Sequence, residues 1–245
     1  MVTASRTLLG NFHNIEAEII EHDVWDVPAN ALVLHLPQSR KILSGMSGYR
    51  PVDTVSNFHI PKPFWMKLHD WNCDWNSYYQ EVLNITPTGK EISLKRLAMM
   101  STGVNMHQLA WAEESFKNAW VLAFVTAGVR GNALRIGVDS GSHGPIGTIN
   151  TIVLTSAALT QAAMAASFIT ITEAKVIALE DLQIKSCYNP ELQASGTGTD
   201  QIIVVSGKGP ECQYVGGHTK IGELMARAVT RATKEAIAKR WNIFD

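Results

Sequence analysis

The 245-residue sequence predicts an α/β fold, a mixed β-sheet core with packed helices whose strand-end glycine-rich loops form the site. Three observations carry this. Short β-branched runs such as "QIIVVSG" end in glycine, as buried strands do. Two long small-residue or amphipathic segments in the second half read as helices. Glycine- and hydroxyl-rich segments recur where the strand patterns stop.

From the N-terminus, residues 16–43 alternate like a hairpin, "EAEIIEHDVW", with a turn expected at Pro28-Ala29-Asn30 before "ALVLHLP" and "RKILSG". "VDTVSNFHI" reads as a strand closed by Pro61-Lys62-Pro63. The aromatic-rich stretch 64–83 reads as a helix or lid packing its rings on the core, with a wall for a flat ligand as the alternative. "LAMMSTGV", "AWVLAFVTAGV" and "GTINTIVLTS" read as buried strands. From Ser156 or Thr160, either able to cap, "TQAAMAASFITITEAKVIALEDL" is a long helix. The last helix, from His218 to Trp241, gathers Ile221, Leu224, Met225, Ala228, Val229 and Ala232 on one face. Glu235 and Lys239 stand at favourable i,i+4 spacing on another face. No linker, repeat or low-complexity segment divides the chain, so residues 1–245 are expected to form a single domain.

Bulk properties exclude some classes. Net charge is -1, which gives no overall pull toward nucleic acid or an anionic membrane. Arg231, Lys234, Lys239 and Arg240 read as a solvated helix face. The odd, scattered Cys73, Cys187 and Cys212 make neither a disulfide framework nor a C-x-x-C pair, which suggests a reducing, cytoplasmic setting. No apolar h-region opens the sequence. Gly144–Thr172 carries no charge across 29 residues, but it splits into a strand and an Ala-rich helix, and reads as core and not as a membrane span. Self-association is left open.

The chemistry concentrates in "TAGVRGNALRIG", "SGSHGPIGTIN", "ASGTGTD" and "GGHTKIGE". Each alone is a turn. Together they suggest a cleft where strand ends and helix N-termini present bare amides to a ligand. His218 is the best general acid/base by its ordinary pKa of about 6.5; the alternative is a capping or packing histidine. Asp200 would orient His218 or activate water. Thr197 and Thr199 would be nucleophiles or oxyanion donors, against the commoner role of turn hydroxyls. Glu173 either pairs with Lys175 or Lys220 or points into a site. H-E-x-x-H, H-x-H and paired cysteines are absent, so no preformed metal centre is expected. Neither a P-loop nor G-x-S-x-G occurs.

Taken in order, "VLAFVTAGVRGNALRIG", "GTINTIVLTSAALTQAAM", "TEAKVIALEDL", "SGTGTDQIIVVSG" and "YVGGHTKIGELMARAV" resemble the adenosylcobinamide amidohydrolase family, CbiZ. The resemblance is strongest over residues 100–237; upstream only "KILSGMSGYRPVDTVSNFHIP" is similar. It implies hydrolysis of the amide joining the aminopropanol arm to the corrin ring, giving adenosylcobyric acid in corrinoid salvage. Asn132, Thr148, Asn150, Thr197, Thr199, Asp200, His218, Thr219 and Glu223 belong to the matching motifs. By their chemistry, Asn132, Thr148, Asn150, Thr219, Glu223 and the bare Gly196 and Gly198 would bind substrate. No cofactor is implied, because the cobalt belongs to the corrinoid substrate. Water is favoured over threonine as the attacking group, since no lysine or histidine lies near Thr197 or Thr199 in sequence. A corrinoid-binding or transport-associated module without catalysis is the competing expectation.

Overall fold

The computed structural model describes residues 4–24, 26–70, 75–84, 92–140 and 147–241. Residues 141–146 of "SGSHGPIGTIN" and 71–74 of the aromatic-rich stretch lie outside them. The fold is mixed α/β, and the chain forms two compact units, residues 1–40 with 51–107 and residues 41–50 with 108–245. The division passes through paired strands, where no change of composition marks it.

The first unit holds strands β1 (Ala4–Phe12), β2 (Ile15–Val24), most of β3 (Val27–Ser44) and of β4 (Gly48–His59), helices α1 (Lys62–Asp70) and α2 (Trp75–Asn84), and strand β5 (Leu97–Thr102). Val24 pairs with Val27, so the expected turn at Pro28-Ala29-Asn30 is displaced: those residues already lie in β3. Asp26 takes the left-handed conformation there, φ 56°, which aspartate tolerates better than most residues. Pro61 does separate β4 from α1, whereas Pro63 lies in the first turn of α1. In the aromatic stretch Phe64, Tyr78 and Tyr79 are buried against Phe58, Ile60 and Val82. Those rings are core, as the simpler expectation held. His22 is buried beside Tyr78. Desolvation, with the charge of His59 behind it, pushes its imidazole down to about 4, so it is neutral near pH 7.

The second unit holds β6 (Ala110–Phe116), β7 (Ala119–Ala127), β8 (Ala133–Leu134), β9 (Ile149–Thr155), β10 (Ala158–Leu159), α3 (Gln161–Asp181), β11 (Gly196–Thr197), β12 (Gln201–Val205), β13 (Glu211–Cys212) and α4 (Lys220–Trp241). Its sheet runs from the end of β3 through β12, β9 and β7 to β6. Only β12 and β9 are parallel; the other neighbours run antiparallel. Both faces are buried: Val121, Ala123, Val125, Val153 and Val204 on one, Leu122, Phe124, Ile152, Leu154 and Ile203 on the other. That is why these strands read as continuous apolar runs without alternation.

Helix α3 starts where expected, with the Thr160 side chain accepting from Ala163 N at 3.1 Å. It is long and apolar enough to cross a membrane by length and composition, yet Ala163, Met164, Ile171, Ala174 and Leu179 are spent in the core of this unit. The predicted face of α4, from Ile221 to Ala232, is buried in the same core. The expected Glu235–Lys239 pair is replaced: Lys239 Nζ donates to Leu109 O at 2.6 Å and lies over the Trp111 ring. An ammonium that donates to a carbonyl and lies over an indole face gains more than an exposed ion pair does.

The connection β9–α3–β12 determines which helix reaches the strand starts. Two adjacent parallel strands joined by a helix require that helix to run back against them. The C-terminal half of α3 therefore returns to the edge where β9 and β12 begin.

Candidate functional site

Because Gln201 pairs with Asn150 across the parallel strands, the segments that precede β9 and β12 lie side by side. They are laced together. The Thr148 hydroxyl donates to Thr199 O at 2.7 Å and lies 3.2 Å from Asn150 Oδ1. The Thr199 hydroxyl donates back to Gly147 O at 2.9 Å. The short pairing of β8 with β11 brings the preceding loop alongside, and Asn132 Nδ2 donates to the same Gly147 carbonyl. Gly128 N, just beyond the C-terminal end of β7, donates to Thr148 O. Sequence motifs some fifty residues apart thus form one brace.

Asp200 is its centre. Its carboxylate accepts from Ile149 N at 3.0 Å, Thr197 N at 3.1 Å, Thr197 Oγ1 at 2.5 Å and Lys175 Nζ at 2.6 Å. A carboxylate has about four lone-pair sites, and all are taken. It therefore has no capacity left to hold a histidine. Lys175 and Asp200 are 13% and 16% exposed in their side chains, so the pair is shielded from water but not sealed from it.

The glycines separate into two kinds. A Cβ on Gly196 would stand 2.4 Å from Asp200 Oδ2 and 2.6 Å from Lys175 Nζ. One on Gly147 would be 2.4 Å from both Asn132 Oδ1 and Gly128 O. Real Cβ atoms do not approach that closely, so Gly147, facing a main-chain oxygen, requires glycine, and at Gly196 a methyl would have to displace the ion pair. Gly198 is exposed, and a methyl there would make only ordinary contact with Leu134.

Beside the brace opens a cavity of about 230 Å³ lined by Gly45, Ile149, Phe168, Ile171, Lys175, Asp200 and Ile202, with Thr151, Thr172 and Gln201. Its walls are mostly apolar, and the ion pair is the charged feature among them.

His218 lies elsewhere. On a helix of about 3.6 residues per turn, Phe168, Ile171, Thr172 and Lys175 share one stripe of α3, facing the cavity. Thr170, Glu173, Ala174 and Ile177 form the opposite stripe, which lines a groove of about 570 Å³ with Gly217, Ala226 and Arg227 of the α4 side. His218 follows Gly217, exposed, its ring 6.2 Å from that of Tyr214. The expected contact between His218 and Asp200 is not formed: α3 stands between them. The helix N-terminus that sequence reasoning attached to the site belongs to this groove and not to the Asp200 brace, which meets the C-terminal half of α3.

The other candidates of this turn have local work. The Thr219 hydroxyl accepts from Gly222 N at 3.0 Å and caps α4. Glu223, in the first turn, pairs with Lys220 and with Arg227; the Lys220 contact foremost holds its carboxyl below the usual range. Glu173 pairs with neither expected lysine, since Lys175 is bound to Asp200 and Lys220 to Glu223.

Two features escaped sequence reasoning. One is Lys175 itself, 25 residues from Asp200 along the chain. The other is a cluster in the first unit, Glu16, Glu18 and His35, whose ligand-type atoms lie within 4.8 Å of one another. The Arg6 guanidinium bonds both carboxylates and His35 Nε2 lies 2.5 Å from Glu18 Oε1. With an arginine already compensating the buried charge, it reads as an ion-pair network. No motif spacing could have announced it, because three strands contribute.

Comparisons with known proteins identify the family. A family model described as adenosylcobinamide amidohydrolase, CbiZ, matches residues 16–243. An uncharacterized protein of Methanocaldococcus jannaschii is 41% identical over 241 residues, 90% of this chain and 91% of that one. An adenosylcobinamide amidohydrolase of Methanosarcina mazei is 33% identical over 149 residues, 57% of this chain and 65% of its own length. Among solved structures, the PH0078 protein of Pyrococcus horikoshii OT3 aligns with a TM-score of 0.42 at 11% identity, over 97% of this chain and 83% of that one. That likeness is too distant to bear on function.

Proposed function

The chain belongs to the adenosylcobinamide amidohydrolase family, and from that premise we propose that it hydrolyses the aminopropanol amide of adenosylcobinamide, releasing adenosylcobyric acid. The observation that carries the reading at the level of the site is the shielded Lys175–Asp200 pair, with Thr197 bonded to Asp200, in the wall of a mostly apolar cavity. At about 230 Å³ the cavity is smaller than the roughly 300–1,000 Å³ that encloses a whole drug-sized ligand. It suits a side arm ending in an amide, with the macrocycle left outside. Amide hydrolysis needs an oxygen nucleophile, stabilisation of the tetrahedral oxyanion and a proton for the departing amine. In this reading Asp200 keeps the loop and its hydroxyls in register. Thr197, bonded to Asp200 through both its amide and its hydroxyl, is held beside the ion pair, and water is the attacking group. Asn132 and Asn150 rigidify the rim, and His218 stays outside the chemistry. The free thiols Cys187 and Cys212 suit a cytoplasmic setting.

The test is direct. Pure protein incubated with adenosylcobinamide should release cobyric acid, followed by chromatography and mass spectrometry. Corrinoid retained but unchanged would turn the reading to the non-catalytic binding module.

A further inference from the structure

Lys175 had no assigned role, and its surroundings are unusual for a lysine. Its side chain is 13% exposed, on the stripe of α3 that faces the cavity, among Ile149, Phe168, Ile171 and Ile202. Its ammonium makes one hydrogen bond among the described residues, to Asp200 Oδ2 at 2.6 Å. An ammonium carries three donors, so two remain for whatever enters. Gly196 keeps the backbone bare at this point, since a Cβ there would press on Nζ. A charged donor is thus fixed by a saturated carboxylate, backed by a loop that yields it room, and given apolar walls that strengthen any charge it meets.

We propose that Lys175 is a catalytic residue, the donor to the carbonyl oxygen of the amide that enters this cavity; the assignment rests on the amidohydrolase reading. As the oxygen of the attacking water bonds to the carbonyl carbon, the π pair moves onto the carbonyl oxygen, and the developing charge is taken up by the Lys175 N–H. Collapse re-forms the C=O bond and breaks the C–N bond. The proton lost by the attacking group ends on the departing nitrogen. The ammonium stays protonated throughout, so the net change is amide plus water to acid plus amine. Asp200 acts through Lys175, as a positioning residue.

Steady-state kinetics of Lys175→Met and Lys175→Arg with adenosylcobinamide test this, with melting curves to follow the fold. Lys175→Met should lose about 10²–10³ in kcat, the scale of one oxyanion donor, with KM changed less than about threefold. Lys175→Arg, which keeps the charge, should recover at least about tenfold of that loss. A folded Lys175→Met variant within about fivefold of wild type would overturn the assignment. Should that variant fail to fold, wild type alone decides: its product ends in a carboxylate, so cobyric acid should inhibit at least about tenfold better than its primary amide, and equal inhibition would overturn the proposal. Wild type without turnover would instead strike the functional reading itself.

Discussion

Strand β12 is flanked by two glycine-rich turns that look alike as text: "ASGTGTD" before it and "GKGPECQYVGGHTK" after it. Each offers glycines, hydroxyls and at least one titratable side chain fit for proton transfer. Folded, they differ completely. Before the strand, Gly196 is bare so that an ion pair can press against the backbone, and Asp200 is bonded to capacity. After it, glycine serves backbone packing: a Cβ on Gly207 would meet Ser156 O at 2.1 Å, and one on Gly209 would meet the same oxygen at 2.8 Å. His218 there is exposed. Composition announces that a turn is crowded. What crowds it, a charged side chain or a neighbouring main chain, decides whether the turn can do chemistry.

The sharpest way to break this contrast is Asp200→Asn. It removes the charge that holds Lys175, leaving a shielded ammonium without its partner, so activity should fall at least about 100-fold. The cost in stability should be about 3 kcal/mol, as for other shielded pairs that lose one member, readable as a lower midpoint in urea. Next comes a pair of alanine substitutions in one turn. Gly196→Ala drives a methyl into the ion pair and should cost at least about tenfold in kcat, an effect that a misplaced catalytic group readily produces. Gly198→Ala, two residues on and open to solvent, should stay within about twofold. Equal losses at the two positions would mean that the loop needs glycine for flexibility and not for space.

Smaller still is the effect expected across the strand. His218→Ala should leave turnover within about threefold, because α3 stands between it and Asp200. A loss of about 100-fold, the scale of a missing general acid or base, would move the reacting centre to the α3–α4 groove. Smallest is metal removal: exhaustive chelation should leave the rate unchanged if the Glu16–Glu18–His35 cluster is held by Arg6 alone. A loss restored by one divalent ion would reassign that cluster.

The sequence by itself determined the local elements of the second unit. β9 and β12 are legible because consecutive β-branched residues want an extended backbone buried on both sides, and α3 begins at Thr160 because a threonine oxygen can satisfy a free amide. The motif order was also enough to point to the family. The hairpin turn at Pro28-Ala29-Asn30 was misread because proline fits the start of a strand as well as a turn, and Asp26 carried the reversal. The site divided along the same line. That Thr148, Asn150, Thr199 and Asp200 belong together could be read from their motifs, expected at strand ends; the structure sets those motifs where β9 and β12 begin. That Lys175 joins them, and that His218 does not, was decided by the return of α3 from the far end of β9 to the beginning of β12. One helix then stands between the two glycine-rich turns and gives each a different stripe. Local propensity fixes where a helix starts and stops. Which of its faces meets which strand end depends on long-range strand pairing and the path of the crossover, and neither is written in any short run of residues.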